Sequence, residues 1–409
     1  MGDPIERDSN LILEDVKDGK KHINTIHMIR VYVKGRKDAK AVKHALNVEV
    51  VNIGDKFDSI DYDKIPIFMF GREDLKLIEK LEDTVSTNLY SVAIINKKRV
   101  RNARLEEIRN AFEIAKAKIR LGFRFDSVFI FSPKNELGIE IHPDYDCYFV
   151  IGKEFEKNLE EIGVNVYEGS LVLRKLYGEE YYYSPNLVGI VYKKIGERIR
   201  VKSLGIGRRF DIDKTVKENE KVLKELEKIS INFLKRFNFE EVYVPVSGGK
   251  DSTATLILAK KCFKDVKAIY VKTNYDAPFT DEYIDYIERK LNVEVIEEVV
   301  HFDVEKYGIP THENRWCTAI KMKAIKKYGG LRIVGDRDAE SRTRRLRPEI
   351  YGNEVFPIKY WSGAMVQLYI LMNGLKLHPL YYKGFYRIGC TICPSLSDWE
   401  KKLLTKSLI

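Results

Sequence analysis

The spacing of apolar positions changes along this chain, and each change marks an element. Residues 25–33 (TIHMIRVYV) and 65–70 (IPIFMF) carry the β-branched and aromatic bias of strands. Residues 38–46, a run through Leu75, Leu77, Ile78 and Leu81, and residues 105–119 predict helices, the last amphipathic, with apolar residues near every third or fourth position. From about residue 142 to 210 the texture shifts to short apolar runs at 147–151, 169–173, 187–192 and 198–201. That spacing predicts a small barrel or sandwich. Residues 213–237 return to a helical period through Val216, Val222, Leu223, Leu226, Ile229, Ile231 and Leu234, and predict one long connecting helix.

Beyond residue 241, strands at 242–246, 266–271, 293–296 and 331–335 alternate with helical runs. Such alternation implies βαβ units and a parallel sheet covered on both faces. The expected organisation is therefore an α/β N-terminal domain at 1–140, a small β-rich domain at 141–210, a linker helix at 211–238 and a doubly wound parallel-sheet α/β domain at 239–409.

The run VYVPVSGGKDSTATLILA, residues 242–259, is the most informative. A short buried strand turns through glycines directly into a helix, which builds an anion site: glycines admit a phosphate and the first helical N–H groups point at it. Ser247, Gly248, Gly249, Lys250 and Ser252 are the expected cradle, with hydroxyl donors and one positive charge. Asp251 would repel a phosphate; it fits as a helix N-terminal residue or as a ligand for Mg2+ arriving with the nucleotide. The spacing is not that of the Walker A loop.

Composition narrows the class. A chain of 409 residues divides into two or three domains, and 44% hydrophobic with 32% charged residues suits a soluble globular protein. No apolar run reaches bilayer length and MGDPIERDSN holds no signal-peptide core, so no membrane partner and a cytoplasmic location are expected. Five cysteines in a reducing compartment point to metal or redox chemistry rather than disulfides. The net charge of +10 fits an anionic partner.

Three further segments belong with the loop: RWC at 315–317, GDRDAESRTRR at 335–345, and PLYYKGFYRIGCTICP at 379–394. With SGGKDS, in that order, they resemble the phosphoadenosine phosphosulfate (PAPS) reductase family of PP-loop, N-type ATP pyrophosphatase-like proteins. The resemblance implies that the loop binds the phosphates of ATP or an adenine sulfonucleotide, with Glu340, Ser341 and Arg342 beside it. It implies catalytic roles for Asp251, Cys317, Arg337 and Arg344, and a metal set of Cys317, Cys390 and Cys393. Iron–sulfur members carry a Cys-Cys pair where this chain has Cys317-Thr318. Three thiolates then suit a 4Fe–4S cluster with one open iron, as in tRNA thiolation enzymes; Zn2+ would need His312 or His378 as a fourth ligand, and a metal-free pair is the third reading. The segment GIVYKKIGERIRVKSLGIG resembles the close of a PUA domain, which implies an RNA partner contacted by Lys202, Arg208 and Arg209.

Assimilatory members use a thiolate on a Glu-Cys-Gly tail, whereas PSLSDWEKKLLTKSLI has no cysteine. The expectation is therefore ATP-dependent activation of an acceptor, tRNA among the candidates, coupled to sulfur transfer from an unidentified donor. The alternatives are an adenosine or phosphoadenosine phosphosulfate reductase and a nucleotide- and RNA-binding protein without turnover.

Overall fold

The computed structural model describes residues 27–54, 57, 60–176, 178–193 and 198–407. It divides into two compact units, residues 1–145 with 219–238, and residues 146–218 with 239–409. The first two residues of the strand predicted at 25–33 lie outside the described residues.

In the first unit, β1 (Ile29–Val33), α1 (Arg36–Ala45), β2 (Glu49–Asn52), β3 (Ile65–Phe70), α2 (Lys76–Thr84), β4 (Ser91–Ile94) and α3 (Leu105–Leu121) follow one another. The strands form a parallel sheet in the order β2-β1-β3-β4. Every residue of β3 is buried, as expected of a central parallel strand covered on both faces. Tyr32, Phe68 and Phe70 stack in its aromatic core, and Tyr90 meets Phe68 edge-on. An antiparallel hairpin, β5 (Phe123–Asp126) and β6 (Val128–Phe131), follows α3.

The second unit begins with β7 (Tyr145–Phe149), α4 (Lys153–Glu160), β8 (Leu171–Lys175), β9 (Glu179–Tyr183), β10 (Leu187–Tyr192) and β11 (Arg200–Ser203). These strands form one sheet in the order β11-β10-β9-β8-β7, with β7 and β11 as its ends. The predicted barrel or sandwich is thus corrected to a single open five-stranded sheet among the described residues, antiparallel from β8 to β11. Strand β9 (EEYYY) escaped the apolar pattern because Glu179 and Glu180 open it; Glu180 is buried and carried by the ammonium of Lys193 at 2.6 Å. The long helix α5 (Ile212–Leu234) has the predicted extent within a few residues at each end.

The remaining chain builds a six-stranded sheet from β12 (Val242–Val246), α6 (Lys250–Cys262), β13 (Val266–Thr273), α7 (Thr280–Leu291), β14 (Glu294–Val300), α8 (Val304–Tyr307), α9 (Trp316–Ile325), β15 (Leu331–Ile333), α10 (Arg342–Leu346), β16 (Ile350–Tyr351) and β17 (Glu354–Val355). Helices α11 (Gly363–Met372) and α12 (Asp398–Ser407) close it. The order is β14-β13-β12-β15-β17-β16, parallel except for β16. From β12 the chain winds outward through β13 and β14, then resumes on the other side at β15. Ligands of open α/β sheets bind beyond the strand ends at such a reversal. Pairing between β12 and β15 ends at Tyr243, two residues before Pro245, which has no N–H to continue it, so the two strands part beneath the loop. No helix among the described residues is long and apolar enough to cross a membrane.

Candidate functional site

The loop after β12 needs its glycines. Gly248 has φ +70°, in the left-handed region that side chains disfavour, and a Cβ there would lie 3.3 Å from the His378 ring. Gly335, just past β15, touches the start of α6 so closely that a Cβ would sit 2.7 Å from the Asp251 carbonyl oxygen. The Ser252 hydroxyl accepts from the Ser247 N–H (3.3 Å) and donates to the Gly249 carbonyl (2.9 Å), fixing the turn. The first turn of α6 therefore faces a cavity of about 270 Å3 lined by Ser247, Gly249, Asp251 and Ser252, with Glu340 and Arg344 across from them.

Two expectations for this loop are corrected. Lys250 does not line the cavity. Its ammonium is buried behind the turn, 2.7 Å from Asp251, donating to the Tyr386 carbonyl (3.2 Å) and lying over the Tyr148 and Tyr381 rings. Burial lowers its pKa, an effect that Asp251 only partly reverses. For Asp251 the helix N-terminal reading holds, since it stands in the first turn of α6, but it is not placed as a free Mg2+ ligand: one oxygen takes the Lys250 bond and the other accepts from Arg337 Nε at 2.5 Å. Burial pushes the Asp251 carboxyl up, but Arg337 and Lys250 outweigh it and hold it below the ordinary carboxylate range.

The arginine segment is likewise split. Arg337, 1% exposed, turns inward between Asp251 and Asp146, whose carboxylate it reaches at 2.8 Å, and it does not line the loop cavity. Burial alone would lower its pKa; the two carboxylates more than reverse that. Glu340 accepts from the Arg337 N–H (3.0 Å) and pairs with Arg344 (2.9 Å), which also meets Asp336 (3.0 Å). Ser341 caps α10 by accepting from the Arg344 N–H at 3.1 Å. Arg342 is exposed and lines neither the loop cavity nor the other cavities described below. Of the predicted arginines, Arg344 alone reaches the loop cavity.

Cys317, Cys390 and Cys393 are brought together around a cavity of about 150 Å3 with Arg315, Lys321 and Arg387 on its wall. Cys317 comes from the first turn of α9, while the Cys-x-x-Cys turn docks on the end of β13: Thr391 N–H donates to the Tyr275 carbonyl at 2.7 Å, and Cys393 N–H to the Cys390 carbonyl at 3.0 Å. The Cys390 sulfur lies 3.9 Å from Asp276 Oδ1. Burial pushes the Cys390 thiol up, with Lys321 pulling it partly back. The donor set suits a thiophilic metal, yet no three His, Cys, Asp or Glu side chains among the described residues are grouped to hold a metal ion. As arranged, the thiols do not fit one. The predicted fourth ligands are elsewhere: His312 is exposed, and His378 is buried behind Gly248, accepting from the Leu380 N–H at Nδ1.

Lys321 and Arg387 line both the loop cavity and the thiol cavity, so they join the two. Both stand in segments expected beside the loop, Lys321 in the basic helix after Arg315-Trp316-Cys317 and Arg387 ahead of the Cys-x-x-Cys turn, but the sequence assigns neither residue a role, because nothing local signals their shared position. Asp146 was also missed; it acts 191 residues away from its partner Arg337. On the β-rich sheet, Lys202 and Arg208 are exposed, whereas Arg209 is bound to Glu156 (2.6 Å) and Glu168 (3.6 Å) and is not a free phosphate contact.

Residues 241–396 match the phosphoadenosine phosphosulfate reductase domain family. Two uncharacterized proteins of Methanocaldococcus jannaschii are similar: one is 34% identical over 211 residues, covering 46% of this chain and 44% of the relative, and the other 29% identical over 301 residues, covering 65% and 72%. The chain thus spans less than half the length of the first. The phosphoadenosine 5'-phosphosulfate reductase of Salmonella arizonae is 26% identical over 185 residues, covering 39% of this chain and 72% of that enzyme.

Proposed function

We propose that this chain, whose residues 241–396 match the phosphoadenosine phosphosulfate reductase domain family, binds the phosphates of ATP at the loop after β12 and activates an acceptor for sulfur transfer by its cysteines. The observation that carries this reading is the shared wall of the loop and thiol cavities, Lys321 and Arg387, which sets an anion site beside three thiols. An acceptor oxygen attacks the α-phosphorus, the bond to the β-phosphate breaks, and pyrophosphate leaves. Backbone N–H groups of α6 and the guanidinium groups of Arg344 and Arg387 stabilise the charge that develops. A persulfide on one cysteine, loaded by an external persulfide donor, then attacks the activated carbon and AMP departs. A second cysteine cleaves the S–S bond, leaving sulfur on the acceptor and a disulfide that an external thiol reductant reopens. The exposed Lys202 and Arg208 favour RNA as acceptor, with tRNA the first class to test.

The similarity to a phosphoadenosine 5'-phosphosulfate reductase favours a second reading: one thiolate attacks the sulfonucleotide sulfur, its S–O bond breaks and the nucleotide leaves, and a second thiol displaces sulfite, forming a disulfide that an external thiol reductant reopens. One experiment separates the two. Incubation with ATP and bulk tRNA is expected to release pyrophosphate, at least tenfold less in the Ser252→Ala variant. Sulfite from adenosine or phosphoadenosine phosphosulfate, without pyrophosphate from ATP, would replace the first reading by the second.

A further inference from the structure

Behind the loop lies a third cavity, of about 60 Å3, that the proposed chemistry does not use. The end of the β-rich sheet supplies Tyr148 and Arg174 to its wall, and the loop domain supplies Lys250, Arg337, Arg344 and Arg387. Five cationic side chains therefore meet two carboxylates, Asp146 and Glu340, in a space with room for about four waters. Arg337 is 1% exposed, and three of its donor contacts are made: Nε to Asp251, and Nη1 to Asp146 and to the Trp361 carbonyl. Its Nη2 is buried without a hydrogen-bond partner. The Nε of Arg174 also lacks a hydrogen bond, its nearest carboxylate oxygen being 3.5 Å away on Glu180. Buried charged donors are rarely left unpaired, and a planar guanidinium fork suits a tetrahedral oxyanion. A cation would be repelled by this wall, and an apolar group would leave the donors unmet.

We propose that this cavity is a subsite for one small tetrahedral oxyanion of the sulfate or phosphate class, held by Arg337 Nη2, Arg174 and Arg387 and separate from the loop. Four of its eleven lining residues, Asp146, Tyr148, Arg174 and Leu176, come from the β-rich segment, so it exists only where that sheet and the loop domain are packed together. The inference does not rest on ATP binding, because its probe is the inorganic anion alone.

The test is thermal unfolding of the full chain in sodium sulfate against sodium chloride at equal ionic strength. Sulfate is expected to raise Tm by about 2 °C or more, saturating with concentration, and chloride is not. Arg174→Gln is expected to lose at least two thirds of that shift and Ser252→Ala to keep it. Should Arg174→Gln not fold, Arg387→Gln, altered at an exposed side chain, carries the same expectation. A sulfate shift equal to that of chloride overturns the proposal. So does a full shift in the folded Arg174→Gln or Arg387→Gln protein, or its loss in Ser252→Ala, which would place the anion at the loop. Adding adenosine phosphosulfate distinguishes two sources of the same group: a sulfate shift that persists marks a free anion as occupant, and one that disappears marks the terminal group of the nucleotide.

Discussion

Arg337 shows how far one side chain can depart from its motif. The G-x-R-x-x-E-S-x-x-R spacing suggests an arginine presented to a ligand in the loop, yet Arg337 is buried between Asp146 and Asp251. Two carboxylates out of water need that charge between them. Arg337→Met should therefore destabilise the protein by about 3–5 kcal/mol, since removing one partner of a buried ion set leaves the others uncompensated. Arg337→Lys should recover less than half of the loss, because a single ammonium cannot span both acids as a guanidinium does. Urea unfolding of the two variants checks both expectations; equal stability of wild type and Arg337→Met would remove Arg337 from the centre of this network. The motif was legible in the sequence, and so was its chemistry. Its direction was not, because Asp146 stands 191 residues away and nothing local announces the pairing.

At the scale of elements, the alternation beyond residue 241 translated directly into the parallel sheet, since each buried strand there is a short apolar run with a helix after it. The loop was legible for the same reason: glycines between a strand and a helix have few other uses. The β-rich segment was harder. Its strand β9 hides two glutamates in an aromatic run, and the count of strands, hence barrel against open sheet, could not come from apolar spacing. Gly335 tests the junction between elements. A Cβ there would stand 2.7 Å from the Asp251 carbonyl oxygen, backbone against side chain, so β15 and α6 must separate to admit it. Gly335→Ala is expected to reduce nucleotide affinity at least tenfold while circular dichroism shows the helices retained. Unchanged binding in calorimetric titration would mean that the two elements slide freely and the loop does not depend on their contact.

For the molecule as a whole, global stability should carry the signature of one buried imidazole. His378 is wholly inaccessible, and burial depresses its pKa to about 4 from the ordinary 6.5. Between those values the unfolded chain binds a proton that the folded protein refuses. Stability is thus complete above pH 6.5, falls as pH drops toward 4, and is lower by about 2 kcal/mol at pH 5. His378→Gln should flatten that part of the profile, seen by comparing urea midpoints at pH 7 and pH 5; an equal slope in both proteins would assign the acid sensitivity to other groups.

The three cavities also share a neighbour. Arg387 borders the loop cavity, the thiol cavity and the small cationic one, and its guanidinium can face only one guest at a time. Occupants of adjoining chambers therefore compete for a single charge, and whatever factor one anion imposes on the other's affinity is returned in equal measure. Such coupling needs only one shared guanidinium, without any hinge or lid.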